Sequence, residues 1–450
     1  MKTHLDWSAY DTYGMGDAFS GVPISGGNYA KAVAVCMHNR QCQRSSGKGV
    51  MCPSFRITGD PVHSTEARVA AFKAALNGEL GENPFAGAEL AAVMDLCVSC
   101  KGCKKECPSA VDMTLIKTEF LAQRNDALGV PRRARLFGNL PAWVGHHRRA
   151  VRGIVRLRNR SRLLARIAER LLGIAADRPI PPPAATPFAE SKTTPAEAPR
   201  GDVLLFVDTF SHHFEPEVAE AATAVLNAAG YAVRVLKPAA DDAEPGRPLC
   251  CGRTYLSTGQ VERARREAKR VMAALRPAIA AGTPIVGLEP SCLMALRDEF
   301  YSLGLGAEVG QVGKQAFLFE EFLVREAARG MTLPLKPLNR PKALLHGHCH
   351  QKAIGAMKSV RKVLSWIPGF EFDLIDATCC GMAGSFGLEA EHYEASNAMA
   401  ELSLLPTVRA AAPDAPIIAD GFSCRHQIQD GSGRTPTHVA VLLRDALDAG

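Results

Sequence analysis

Apolar residues along this chain change their spacing twice. Up to residue 130 they return every three or four positions, so 28–37, 64–80, 87–96 and 113–127 each read as a helix with one buried face. Val151, Ile154, Val155, Leu163, Leu164, Ile167 and Leu171 continue that period on a strongly charged background, which predicts a basic amphipathic helix. Across 178–201 the period is lost among Pro, Ala and Thr, the composition of a semi-extended linker. Beyond it, short apolar runs predict strands at 203–207, 231–236, 284–288, 343–346, 372–375 and 417–419. Periodic runs between them predict helices at 215–229, 259–281, 360–366 and 389–405. Alternating strands and helices imply parallel sheets covered by helices.

Composition narrows the class. With 450 residues, 47% hydrophobic and 22% charged, the chain has an ordinary soluble composition and room for two to four domains. No stretch reaches the roughly 18 apolar residues of a membrane span, and the N-terminus lacks a signal-peptide core. The expected location is the cytoplasm, with the inner face of the cell membrane as a peripheral alternative. The net charge of +7 is concentrated: 132–170 holds twelve arginines and one acid, Glu169. Three uses compete for that stretch: a solvated helix face, a docking surface for an acidic partner subunit, and contact with an anionic membrane. Nucleic acid is excluded as a partner, because no aromatic platform or binding motif accompanies the arginines.

Fourteen cysteines in a long chain without an export signal point to metal or redox chemistry rather than to disulfides. Cys97-Val-Ser-Cys100-Lys-Gly-Cys103-Lys-Lys-Glu-Cys107-Pro is the C-x2-C-x2-C-x3-C-P run of bacterial ferredoxins, whose fourth cysteine serves the other of two clusters. A zinc knot would pair C-x2-C units at longer spacing. The second half is Cys36-Met-His-Asn-Arg-Gln-Cys42 followed by Cys52-Pro53, with Asn39 where a third cysteine belongs. Two [4Fe–4S] clusters take eight thiolates, and this region supplies seven. Crossed ligation assigns Cys97, Cys100, Cys103 and Cys52 to a [4Fe–4S] cluster. Cys36, Cys42 and Cys107 then hold a [3Fe–4S] cluster, or a second [4Fe–4S] cluster whose odd iron takes His38, Asn39 or water.

The C-terminal half repeats its order of elements. Cys250-Cys251-Gly252 precedes Cys292, and Cys379-Cys380-Gly381 precedes Cys424, at Cys-to-Cys separations of 41 and 44 residues. Neighbouring Cα atoms lie about 3.8 Å apart, under the roughly 4.4 Å minimum of a relaxed disulfide, so ligation is the easier use of such pairs. The glycines let backbone approach closely. The loop 381–387 has the wrong spacing for a dinucleotide. The fold class is therefore multidomain α plus α/β. An irregular arm (1–30) leads to an α-helical ferredoxin domain with two cluster sites (31–130) and an Arg-rich helical segment (131–177). A linker (178–201) then connects to two duplicated βαβ domains with parallel sheets (202–335 and 336–450).

Val50-Met-Cys-Pro-Ser-Phe, Phe206-Val-Asp-Thr-Phe, Cys250-Cys-Gly-Arg, Gly287-Leu-Glu-Pro-Ser-Cys292, Cys379-Cys-Gly-Met-Ala-Gly-Ser-Phe-Gly and Asp420-Gly-Phe-Ser-Cys-Arg carry a family likeness. The chain resembles iron–sulfur subunits with two cysteine-rich CCG domains, as in anaerobic glycerol-3-phosphate dehydrogenase, glycolate oxidase and heterodisulfide reductase. It resembles more closely the iron–sulfur half of FAD-linked D-2-hydroxyacid dehydrogenases, those for D-2-hydroxyglutarate and D-lactate included. The resemblance implies an electron-transfer subunit that takes electrons from an FAD-binding dehydrogenase subunit to a quinone or other carrier. The flavin is expected on that partner, with no FAD on this chain. The CCG pattern is incomplete: Glu289, Gly421 and Thr209 stand where the family has cysteine. The first CCG site keeps Cys250, Cys251 and Cys292, with Asp208, His212 or Glu289 as supplements. The second keeps Cys349, Cys379, Cys380 and Cys424, with His346, His348 and His350 as further candidate ligands. Either could hold a further Fe–S or metal centre. The alternative function is a heterodisulfide-reductase-like thiol/disulfide oxidoreductase acting at the CCG site, and a third is a metal-stabilised scaffold.

Overall fold

A computed structural model of the chain describes residues 1–14, 21–47, 49–190 and 199–448. Its N-terminal part is helical. Asn28–Ala34, Pro53–Thr58, Thr65–Leu76, Ala88–Asp95, Gly102–Glu106 and Met113–Leu128 form short helices around one aromatic core. Tyr29, Phe72 and Phe120 meet edge to face in that core, with ring centroids 6.2 and 5.9 Å apart. Two of the starts are capped by side chains, Ser64 accepting from the Ala67 N–H and Asp112 from the Leu115 N–H. The described part of the 1–30 arm, expected to be irregular, holds a 3-10 turn at Ser8–Tyr10 and the first residues of the Asn28–Ala34 helix, and it is firmly packed. The buried Glu119 carboxylate accepts the backbone N–H groups of His4 and Leu5, and Leu5 and Trp7 are buried with it.

The Arg-rich stretch folds as three helices, Arg132–Gly138, Leu140–Arg160 and Arg162–Leu172. The following stretch differs from a free linker over its described residues, because it is anchored along its length. Arg178 is buried and donates to the side chains of Gln427 and Asn397. Further on, Ala184 and Phe188 bond to the carbonyls of His213 and His212. Residues 191–198 of that expectation lie outside the described residues.

Two parallel sheets follow. β1 (Asp202–Phe206), β2 (Ala232–Val235), β3 (Ile285–Gly287) and β4 (Ala316–Leu318) stand in the order β2-β1-β3-β4. β5 (Ala343–His346), β6 (Phe372–Leu374) and β7 (Ile417–Ala419) stand as β6-β5-β7. In both, the first strand is central; Leu204 pairs with Ile285 and Leu344 with Ile417. Apart from Asp202 and His346 at strand ends, β1, β3 and β5 carry no polar side chain, because both faces are covered. Residues of both sheets, among them Val203, Leu205, Ala343, Leu345 and Ile418, share one apolar core. The helix expected over 389–405 is instead two, Tyr393–Glu401 and Leu404–Ala410. Pro406 explains the break, since its ring excludes the Leu402 carbonyl and it has no N–H to give.

The helical part and the second sheet domain are joined at His392. Its ring stacks on Phe386 with centroids 4.3 Å apart, while its nitrogens lie 2.9 Å from Asp95 and 2.8 Å from Glu389. Burial alone would depress its pKa, but the two carboxylates raise it to about 9. A folded pKa above the unfolded value of about 6.5 means the contribution is complete below pH ~6.5 and disappears as pH rises through 9. His392→Gln is expected to cost about 2 kcal/mol near pH 6 and almost nothing near pH 10, the figure discounted for the half-exposed Asp95. Denaturant titrations of both chains at the two pH values check it.

Candidate metal centres

Cys97 follows Leu96, the C-cap of the Ala88–Asp95 helix, and Cys103 lies inside Gly102–Glu106. Between them the backbone is left-handed at Ser99 (φ 50°) and Lys101 (φ 60°), which curls the loop around Cys100. Such residues are held there only by their surroundings. At Gly102 a Cβ would stand 3.0 Å from the Met51 nitrogen, so glycine lets the 50–52 segment lie against this loop. Glu106 fixes that segment: its carboxylate accepts the N–H groups of Val50 at 2.6 Å and Met51 at 3.0 Å. The result is a small cavity lined by Cys52, Cys97, Cys100 and Cys103, together with Arg68, Met113 and Thr114.

The 36–42 loop has the same twist, left-handed at His38 (φ 51°) and Arg40 (φ 55°). Asn39 therefore takes the place that Cys100 takes in the other loop. It is exposed, and its Oδ1 accepts the Gln41 N–H at 3.1 Å. His38 is exposed too, its Nδ1 lying 3.2 Å from Glu66. Cys36 and Cys107 are near enough for their charges to interact; burial, and then Cys107, pushes the Cys36 thiol up.

The first turn of the Thr65–Leu76 helix serves both loops. The Glu66 N–H donates to Cys42 Sγ at 3.4 Å, and the Thr65 hydroxyl lies 2.9 Å from Cys103 Sγ. A helix N-terminus favours negative charge, which suits thiolates. One turn in, Arg68 donates to Cys52 Sγ at 3.6 Å. Burial would raise the Cys52 thiol, but Arg68, Ser54 and the Phe55 N–H together hold it below the ordinary value. Burial drives Cys100 and Cys103 well upward. Lys117 donates to the carbonyls of Met94 and Cys97. The donor set is thus soft sulfur enclosing a space, with N–H, O–H and cationic groups aimed at the sulfurs, and it fits Fe–S clusters.

The remaining cysteines lie past the C-terminal ends of strands, where parallel sheets build sites. In the first group Cys250, Cys251 and Cys292 are all buried, and their thiols are close enough to shift one another's pKa values. Cys251 lowers the Cys292 thiol, but burial, with Asp208 and Glu289 nearby, outweighs it and pushes Cys292 up to about 12. Asp208 is spent on capping the Thr209–His213 helix. Glu289 accepts the Phe422 N–H at 2.8 Å, and burial with Asp208 nearby raises its pKa to about 7. His212 is not brought to these cysteines. It lines a depression with His146, His147 and Arg148, because the helix that Asp208 caps carries it away from the sheet end.

In the second group thiol contacts run from Cys349 to Cys379, Cys380 and Cys424. Gly381 (φ 84°) has no room for a Cβ, which would stand 2.1 Å from the Ser396 carbonyl oxygen. At Gly421 a Cβ would lie 2.3 Å from the His348 ring, so that imidazole fills the place of a side chain there. His348 Nδ1 accepts the His350 N–H at 3.1 Å, and His350 Nε2 lies 3.2 Å from the Ser99 carbonyl. His346 is buried at the end of β5 with neither nitrogen partnered among the described residues.

The two kinds of site abut. Cys100 shares an apolar cluster with Cys379, Cys380 and Cys424, and its charge interacts with that of Cys379. Arg253 lies between the groups, near Cys251, Cys349 and Cys292. Arg68 and Glu106 escape a reading of cysteine spacing. The sequence signal for Arg68 is its position on the buried face of its helix beside Val69 and Phe72.

Comparison with known proteins agrees with this chemistry. Residues 32–111 match the 4Fe-4S dicluster domain and residues 208–297 the cysteine-rich domain named CCG. The chain thus combines a 4Fe-4S dicluster domain with a cysteine-rich CCG domain. It is homologous to one of the subunits of the anaerobic glycerol-3-phosphate dehydrogenase of Escherichia coli K12, at 29% identity over 55% of this chain and 60% of that one. It is likewise homologous to D-2-hydroxyglutarate dehydrogenase of the same strain, at 23% identity over 95% of this chain and 45% of that one. Lactate utilization protein A of Bacillus velezensis matches at 24% over 42% of this chain and 75% of that one. The chain thus spans about half the length of the first relatives it matches.

Glu106→Ala leaves two part-buried N–H groups unpaired beside Cys52 and is expected to destabilise the protein by about 2 kcal/mol. Cluster iron should fall with it, while Glu106→Gln, which keeps an acceptor, should retain most of both. Denaturant titration with iron and sulfide analysis checks this.

Proposed function

We propose that this chain is the iron–sulfur electron-transfer subunit of an FAD-linked 2-hydroxyacid dehydrogenase, working in the cytoplasm. Electrons from a flavoprotein partner enter at the exposed 36–42 loop and leave from the interior for a quinone or another carrier. The observation that carries this reading is the continuity of sulfur. An outer group of Cys36, Cys42 and Cys107 adjoins an inner group of Cys52, Cys97, Cys100 and Cys103, and Cys100 adjoins Cys379 and Cys349. We assign the inner group a [4Fe–4S] cluster. The outer group, with Asn39 in the vacant ligand place, takes a [3Fe–4S] cluster. The β2-β1-β3 and β6-β5-β7 arrangements support reading the C-terminal half as duplicated CCG domains, the second with four thiols for a further centre.

Exposed apolar residues on the Arg-rich helices support a peripheral contact with an anionic membrane face. Ile154 and Leu163 are each 69% exposed and Leu171 67%, beside exposed Arg156, Arg162, Arg166 and Arg170. No helix is long and apolar enough to cross a membrane, so the contact would be interfacial.

Two measurements test these readings. The chain loaded with clusters should stay oxidised with 2-hydroxy acids alone and bleach when a hydroxyacid-oxidising flavoprotein is added. Bleaching by the hydroxy acid without that flavoprotein would refute the subunit assignment. In vesicle sedimentation, Leu163→Ser with Leu171→Ser should weaken binding to anionic vesicles at least tenfold. Equal binding to neutral vesicles would refute the membrane contact.

A further inference from the structure

We propose that Arg68 sets the potential of the inner centre, holding it above the value its four thiolates would otherwise give and biasing the electron from the outer centre toward the inner one. The proposal rests on the ligand assignment above. Arg68 is 1% exposed, and its three nitrogens are all used: Nε donates to the Val93 carbonyl at 2.8 Å, one terminal nitrogen to Ser54 Oγ at 2.9 Å, and the other to Cys52 Sγ at 3.6 Å. Among the described residues it makes no ion pair with a carboxylate, and it lines the cavity that the four cysteines enclose. Lys117 likewise lacks a carboxylate partner among the described residues but donates to the carbonyls of Met94 and Cys97 rather than to a sulfur, and the other neighbouring cations are paired. Lys101 is neutralised by Asp298 and Glu299, Lys104 by Asp112 and Asp298, and Arg253 by Glu299.

A buried cation persists only where something anionic is near. For Arg68 the anionic atoms within reach are thiolate sulfurs. Reduction adds one electron and takes up no proton, so the centre and its four thiolates gain one negative charge. A fixed guanidinium at a ligand sulfur stabilises that extra charge and raises the potential. Among the described residues the outer centre has no equal: Cys36 feels Glu66 and Lys73 with opposite effect, and Glu66 lies at its loop. Arg68 therefore separates the two potentials. It is a tuning residue, acting through Cys52.

EPR-monitored redox titration of the full cluster-loaded chain, Arg68→Met and Arg68→Lys tests this, with the outer centre as internal reference. The expected result for Arg68→Met is a fall at the inner centre alone, by at least tenfold in the one-electron equilibrium constant, or ~59 mV. Arg68→Lys should recover most of it. An Arg68→Met protein with full iron and an unchanged inner potential, or with both centres shifted equally, would overturn the proposal. If Arg68→Met loses its four-iron centre, retention by Arg68→Lys supports the role of charge. Loss from both overturns it, because side-chain shape then accounts for the effect. A parent chain without a four-iron signal would overturn the ligand assignment and this role with it.

Discussion

The fold has to bring anionic sulfur from distant parts of the chain into a buried space and keep it there. Each loop of the helical domain can wrap three sides of a centre but cannot close the fourth. Cys52 and Cys107 lie at the far ends of their own halves, and the exchange works only if the 49–52 segment is pinned against Gly102–Glu106. The Glu106 carboxylate does this through two backbone N–H groups, and Gly102 leaves the space. Because Glu106 immediately precedes Cys107, one side chain fixes the relation between Cys107 and the Cys52 segment, the two cysteines proposed to be exchanged. The aromatic core and the Glu119 anchor of the N-terminal arm surround this joint.

Charge explains the second layer. Sulfur-bound clusters are anionic, so the surrounding protein supplies a helix N-terminus, N–H donors and buried cations. It neutralises most of those cations with carboxylates of the first sheet domain, as at Lys101 with Asp298 and Glu299. Such pairs also stitch the helical domain to the sheets. Arg68 donates directly to a ligand sulfur, while Lys117, unpaired among the described residues, donates to backbone carbonyls of the same loop. That asymmetry gives two similar loops different electrostatic surroundings, one exposed beside Glu66 and the other buried against Cys379.

Local chemistry was legible in the chain, and long-range placement was not. Cysteine spacing marks both loops and isolates Asn39 as the odd position, since three ligands at fixed separations need one loop shape. Strand–helix alternation with Cys-Cys-Gly locates the sheet-end cysteines because parallel sheets put their sites there. Spacing does not reveal that His38 and Ser99 adopt matching left-handed conformations, which is what makes Asn39 and Cys100 equivalent. Nor does it bring Cys100 to Cys379, or carry His212 away from Cys250; these follow from packing between elements far apart in sequence. The stretch 178–190 read as linker from its prolines, yet the buried Arg178 anchors it. β4 is three residues long and has no periodic signature.

The exchange of Cys52 and Cys107 is the central claim, and anaerobic EPR of the Cys52→Ser and Cys107→Ser chains tests it most directly. A three-iron centre is paramagnetic when oxidised and a four-iron centre when reduced, so each variant reports which site it has damaged. The account predicts that Cys52→Ser alters the reduced four-iron signal and spares the oxidised one, and that Cys107→Ser does the reverse. If Cys107→Ser instead damaged the four-iron signal of its own loop while Cys52→Ser spared it, each loop would keep its own fourth cysteine and the account would be wrong.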